Sequence, residues 1–131
     1  MRNYTIYTDG AYSMNNEVGG IGIVILNEGG EIVQTSKKKY LRSTSQRMEI
    51  IAAIKALEMI QEKSNITIIS DSNYVVSTMM KNWKRKVNND LWDELDTQVE
   101  RHNVIFKWIK GHDGDKYNEI ADDLATEARD S

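Results

Sequence analysis

Tyr4, Ile6 and Thr8 alternate with Thr5, Tyr7 and Asp9 at the head of the chain, a period of two that predicts a β-strand ending at the aspartate. Two further strands are expected over Gly20 to Leu26 and Glu31 to Tyr40, separated by an Asn27-Glu28-Gly29-Gly30 turn. Strands joined this closely predict an antiparallel meander. The period then changes. Ser43 to Gln46 has capping-box spacing, and Ile50, Ala53, Ile54, Leu57 and Ile60 recur at three- and four-residue steps, predicting a helix of about four turns. Glu49 lies near its N-terminal end, followed on the same face by Ala52, Ala53 and Ala56, which are small enough to let the helix lie close to a sheet.

Ile66 to Ile69 predicts a short buried strand running out into Ser70-Asp71, and Ser72 to Lys81 a helix. Leu91, Trp92, Leu95 and Val99 place another helix over Asn89 to His102 with its acids outward, and Val104 to Ile109 is the last predicted strand. A glycine-punctuated loop, residues 110–116, leads to a final helix from Tyr117 to Arg129, with Ile120, Ala121, Leu124, Ala125 and Ala128 on its apolar arc. The order βββαβααβα contains no repeat, linker or low-complexity segment, so residues 1–131 are expected to form a single α/β domain. Strand–helix–strand crossovers place the first, fourth and fifth strands parallel in a five-stranded mixed sheet flanked by helices.

Composition narrows the chemistry. The absence of cysteine excludes a disulfide scaffold, a thiol nucleophile and a thiolate-held metal, leaving oxygen-ligated metals open. No apolar run approaches the roughly 18 residues of a membrane span, and the first residues lack the blocks of a signal peptide, so an intracellular, cytoplasmic protein without a membrane role is expected. Six of the eight glycines fall between Gly10 and Gly30, and there is no proline, so no X-Pro isomerisation slows folding. Seventeen basic against 20 acidic residues give a net charge of −3, which at first sight argues against a nucleic-acid partner.

Four acids stand where solvation alone does not account for them: Asp9 and Asp71 at strand ends, Glu49 and Asp122 on helices beside small or apolar residues. Adjacent parallel strands would project both aspartates from one carboxyl edge, the crevice where open α/β sheets bind ligands. Four crowded carboxylates raise one another's pKa unless cations neutralise them. Hard oxygen donors without cysteine point to magnesium or manganese, and a two-metal site clamps the attacking and leaving oxygens of a phosphodiester. Each acid also has a simpler reading: Asp9 as a turn residue, Glu49 as a complement to the helix dipole, Asp71 as a helix cap, Asp122 as an exposed helix residue like Glu119 and Asp123. His112, between glycines in a loop, is placed for proton transfer or product release, with a surface histidine as the alternative. His102 is expected to complement a helix C-terminus.

The stretches Tyr7-Thr8-Asp9-Gly10-Ala11, Arg47 to Leu57, Ser70-Asp71-Ser72-Asn73-Tyr74-Val75, Trp108-Ile109-Lys110-Gly111-His112 and Asn118 to Ala125 together closely resemble type 1 ribonuclease H, in order and over essentially the whole chain. The resemblance implies endonucleolytic hydrolysis of the RNA strand of an RNA–DNA hybrid, leaving 5′-phosphate and 3′-hydroxyl ends. It implies that Asp9, Glu49, Asp71 and Asp122 hold two Mg2+ ions, with Mn2+ as substitute, and that His112 assists proton transfer or product departure. It further implies that Gln46, Asn73, Glu49 and the backbone of Gly10 and Ala11 read 2′-hydroxyls, and that Asn15, Thr44 and Ser45 lie near a DNA phosphate.

Ser45-Gln46 replaces the two asparagines common in the family, and the loop Tyr12 to Val18 lacks the usual Asn-Pro-Gly. Met79 to Asp90 is a reduced form of a longer basic protrusion. Only Trp83, Lys84, Arg85 and Lys86 resemble it, with Trp83 stacking on a DNA sugar or else packed into the core. Without a separate hybrid-binding domain, binding by what is expected to be a monomer should be weak and salt-sensitive.

The same residues bear on other nucleotide-handling folds. A proofreading exonuclease would carry D-x-E on the first strand, where Asp9-Gly10-Ala11 stands, and a phosphate-binding ATPase would need a G-x-x-x-x-G-K-[ST] loop. A retroelement-derived domain stays open. A catalytically silent hybrid-binding module is opposed by the presence of all four acids. The charge is also segregated: Lys37, Lys38, Lys39, Arg42 and Arg47, then Lys81, Lys84, Arg85 and Lys86, form acid-free strips, while five acids cluster between Asp90 and Glu100.

Overall fold

A computed structural model describes all 131 residues. Strands β1 (Asn3–Ser13), β2 (Val18–Leu26) and β3 (Ile32–Tyr40) form the antiparallel meander; α1 (Ser45–Glu58) then crosses to β4 (Asn65–Ser70). Helices α2 (Asn73–Lys81) and α3 (Asn89–Glu100) lead to β5 (Asn103–Trp108), and α4 (Lys116–Arg129) closes the chain. The sheet order is β3-β2-β1-β4-β5, with β1, β4 and β5 parallel as expected from the crossovers.

All nine residues of β2 are buried because both faces of the sheet are covered there. Ile21, Ile23 and Ile25 meet Ile6, Ile66, Ile68 and Phe106 under the apolar face of α1, with Trp92 and Leu95 of α3 extending this core. On the other face Val24 and Leu26 pack with Ala121 of α4, flanked by Tyr7, Tyr117, Ile120 and Leu124. Glycines in β2 set how close α4 comes: a β-carbon on Gly22 would stand 2.0 Å from the Ala121 carbonyl oxygen, and one on Gly20 2.2 Å from that of Ala125. On the α1 side, a β-carbon on Gly10 would meet the Met48 β-carbon at 2.8 Å and the Glu49 amide nitrogen at 3.0 Å. Far from this edge, an amide ladder fixes the register of the parallel strands, Asn103 donating to Asn65 and Asn65 to Asn3, each at 2.9 Å.

Several expectations are corrected. β1 does not end at Asp9 but continues to Ser13, because β2 still pairs with it there; what ends is its pairing with β4, whose last partners are Thr8 and Ser70. The cap of α1 is Thr44, accepting from the Arg47 amide at 3.1 Å, while Ser43 is buried and its amide donates to the Glu17 carbonyl. His102 lies beyond α3 and is buried, its Nδ1 accepting from the Ser64 amide at 3.1 Å. Burial pushes its pKa down, so it is a neutral core acceptor and not a cation on a helix dipole. The acids of α3 are not all free. Asp90 takes a bidentate bond from Arg47, and Asp96 one from Arg85, because α3 packs beside α1 and the loop before it folds back.

Gly22→Ala is expected to destabilise the protein by about 2–3 kcal/mol, since helix backbone and not a flexible side chain blocks the new methyl. Gly29→Ala, which meets only Asn27 Oδ1 at 3.4 Å and Glu31 Oε1 at 3.8 Å, should stay within about 0.5 kcal/mol. Urea unfolding of the two variants measures the difference, and equal stabilities would contradict the close seating of α4.

Candidate active site

Beyond Thr8 the two parallel strands part, and the crevice receives side chains from both. Asp9 is carried on β1, only 3% exposed, and its Oδ1 accepts from the Gly10 amide at 2.9 Å. Asp71 follows the last residue of β4. It is not the cap of α2: that place belongs to Ser72, which accepts from the Val75 amide at 3.2 Å, so the Asp71 carboxylate is left for the crevice. Glu49 sits in the second turn of α1, brought against the sheet by Ala52, Ala53 and Ala56, all fully buried, and by the missing side chain of Gly10. One oxygen from each of Asp9, Glu49 and Asp71 lies within 4.8 Å of the others. Asp122 approaches from α4 on the opposite face, within hydrogen-bonding reach of Asp9, though outside that tight group of three.

Burial, then the charges of Glu49 and Asp71, then Asp122 push the Asp9 carboxyl up to about 10. Burial and Asp71 push Glu49 to about 8, against an opposing hydrogen bond from the Gly10 amide. Asp71 is raised by burial and pulled back in part by its bond to Asp9 and by nearby His112. Glu49 Oε1 is buried with no hydrogen-bond partner. An orphaned carboxylate oxygen facing two further acids is the donor set of a hard divalent cation, with four carboxylates available and no sulfur. No cavity opens over these acids. The largest concavity, about 750 Å³, is at the other end of the parallel strands around Asn3, Asn65 and Asn103. A shallow acidic edge is suited to a polymer lying across it and not to a small molecule enclosed in a pocket.

The remaining predicted residues divide. His112 is exposed on a left-handed turn (φ 56°) and close enough to Asp71 to act on its charge. Gly10 and Ala11 continue β1 past the crevice, and Asn73 opens α2 beside Asp71. Thr44, Ser45 and Gln46 form the exposed start of α1, one turn before Glu49. Asn15 lies in the turn between β1 and β2, which the Ser43–Glu17 backbone bond ties to the loop before α1. Trp83 is 46% exposed and outside the core, with exposed Lys84 and Lys86 beside it, neither in an ion pair.

Arg85 breaks from that set. Its guanidinium is held by Asp96 at 2.5 and 3.1 Å and lies over the Trp92 ring, so it anchors the loop and is not a free cation. Arg47 and Lys37 of the other strip are likewise paired, with Asp90 and Glu127. Two contacts at the site escape the sequence pattern altogether. The Trp108 indole donates to the Asp71 carbonyl at 3.0 Å, and Gly111 has room only for hydrogen, since a β-carbon there would stand 2.7 Å from Asp71 Oδ2.

The RNase H family model matches residues 1–130. Ribonuclease HI of Synechocystis sp. is 42% identical over 95% of this chain and 86% of its own length. Ribonuclease H of Cereibacter sphaeroides is also 42% identical, over 91% of this chain and 89% of its own. Among solved structures, LC11-RNase H1 in complex with an RNA/DNA hybrid superposes with a TM-score of 0.83 at 26% identity, covering 97% of this chain and 96% of that one. An acidic crevice at the parting of β1 and β4, on a sheet of this order and with relatives this close along nearly the whole chain, has one assignment: the chain belongs to the RNase H family and is a short type 1 ribonuclease H.

Proposed function

We propose that the chain hydrolyses the RNA strand of an RNA–DNA hybrid by in-line displacement at a two-metal site, leaving 5′-phosphate and 3′-hydroxyl ends. The observation that carries this reading is the convergence of Asp9, Glu49 and Asp71 within 4.8 Å, with Asp122 reaching in from the opposite face. Two Mg2+ ions, or Mn2+ in their place, would activate the attacking water and neutralise charge on the leaving oxygen. Asp9, which the other three acids approach, would hold the ions together with Glu49, Asp71 and Asp122. All four come from one chain, so a monomer suffices.

Around them, the chain's own groups position the hybrid. The Gln46 and Asn73 amides, the free edge of Glu49 and the backbone at Gly10 and Ala11 offer donors and acceptors to 2′-hydroxyls, which tell RNA from DNA. The start of α1 presents unpaired amides with the Thr44 and Ser45 hydroxyls, and with Asn15 nearby this forms a cradle for a DNA phosphate. Trp83 with Lys84 and Lys86 offers a stacking plate flanked by two cations. His112, exposed beside Asp71, moves the proton displaced in the reaction through its imidazole nitrogen.

Purified chain incubated with labelled RNA–DNA hybrid, duplex RNA and duplex DNA is expected to cut only the RNA of the hybrid, and only with Mg2+ or Mn2+. No cleavage with either metal, or equal cutting of duplex DNA, would overturn the reading. Asp9→Asn and Asp71→Asn should each lower kcat by about a thousandfold or more while leaving the circular dichroism spectrum unchanged.

The crowded acids also predict a pH dependence. Asp9 and Glu49 keep protons in the metal-free fold up to about pH 10 and 8, whereas in the unfolded chain they lose them near pH 4. The unfolded state therefore binds fewer protons across this window, and stability falls as pH rises through it. Melting in chelator should drop steadily between pH 5 and 9, and the rise in Tm on adding Mg2+ should grow with pH. A flat melting profile in chelator would show that the three acids do not repel one another.

A further inference from the structure

The Asp71 carboxylate needs a fixed direction, yet little in its own segment fixes it. Ser72 caps α2, and Ser70 Oγ accepts from the Ser72 amide, so the local capping bonds pass Asp71 by on either side. Apart from the bond between its carboxyl and Asp9, what holds Asp71 comes from β5 and the turn after it. The Trp108 indole Nε1–H donates to the Asp71 main-chain carbonyl at 3.0 Å, and it is the only side chain of another element hydrogen-bonded to that residue's backbone. One residue on, the Ile109 amide donates to the Ser70 carbonyl at 3.0 Å, extending the β4–β5 ladder to the lip of the crevice. Gly111 then lies against the carboxylate itself, close enough that a β-carbon would reach Oδ2 at 2.7 Å.

Trp108 is otherwise an unusual place to spend a tryptophan. It ends β5 and is 48% exposed, absent from both apolar clusters, so packing does not explain the ring. Trp92 serves the core and Trp83 stands out on the loop before α3; Trp108 alone has its indole N–H directed at the acidic crevice. An indole is a donor only. A carbonyl held by it cannot rotate away without leaving that donor unsatisfied, and rotation of the Asp71 peptide would carry the carboxylate with it.

We infer that Trp108 is a positioning residue for the cleavage reaction, acting through its indole N–H on the Asp71 backbone to aim that carboxylate at the metal site. This rests on the two-metal reading above and adds to it a residue outside the acid set. Trp108→Phe keeps an aromatic plate at the end of β5 and removes the donor. It is expected to lower kcat at saturating hybrid by about tenfold and to raise the Mg2+ concentration for half-maximal rate by about fivefold, with KM for the hybrid within about twofold.

A second readout needs neither activity nor a variant that folds. In a 1H–15N spectrum of the unaltered chain titrated with Mg2+ alone, the Trp108 indole cross-peak should shift and saturate, while those of Trp83 and Trp92 stay in place. A Trp108→Phe enzyme with unchanged kcat and Mg2+ dependence would overturn the inference. So would a change confined to KM, which would make the ring a substrate contact, or an indole peak that does not respond to Mg2+. An inactive unaltered chain would instead overturn the functional reading, so the two failures are separable.

Discussion

Three carboxylate oxygens within 4.8 Å of one another, in a recess where one of the acids is 3% exposed, cannot all be charged unless a cation stands among them. This repulsion organises the rest of the molecule. A chain free to relax would turn these side chains out into water, so each must be forced inward by structure that has its own reasons for being where it is. Asp9 is forced by β1, which runs on four residues past it along β2 and cannot bend away. Glu49 is forced by α1, whose apolar face is committed to the sheet. Asp71 is forced by the bonds from β5 and the lack of space above Gly111.

The close approaches that make this possible are negative features, places without a side chain. Gly10 lets the start of α1 touch β1, and Gly20 and Gly22 let the α4 backbone lie on β2. Glycine in a strand costs stability through the freedom it loses on folding, and the crowded acids cost stability as pH rises and they lose their protons. The isoleucine-rich layer under α1 compensates, with Ile6, Ile21, Ile23, Ile25, Ile66 and Ile68 all essentially inaccessible. The core thus holds together acids that repel one another once they are charged with no cation among them. The acidic site is a crowded edge on an otherwise locally consistent fold.

Periodicity made most of the fold legible because these elements are amphipathic in the ordinary way: β1 alternates, and α1 and α4 carry three- and four-residue apolar steps. The acids could be picked out because each sits where that pattern changes, and the resemblance gave them their order. What stayed hidden depends on contacts far apart in sequence. Nothing local tells that β1 continues past Asp9, since the extension rests on pairing with residues 18–21 of β2. Nothing local tells that His102 is buried against the Ser64 amide, 38 residues away, or that the Trp108 indole reaches Asp71, 37 away. Choosing Thr44 over Ser43 as the cap likewise required the Ser43–Glu17 bond, which draws Ser43 inward.

Charge is where sequence and structure diverge most usefully. A net −3 includes four acids gathered at the site, so it says little about the surface a polyanion would meet. Counting the basic strips as free cations errs the other way, because Arg47, Arg85 and Lys37 are each spent on an acid. Arg85 shows what that expenditure achieves. The segment between α2 and α3 is short, begins and ends in left-handed residues, Asn82 and Asn88, and has little packing of its own. The bidentate bond to Asp96 and the contact over Trp92 pin it to α3. One arginine given up as a surface cation thereby ties down the backbone that carries Trp83, Lys84 and Lys86, whose own side chains stay exposed and unpaired.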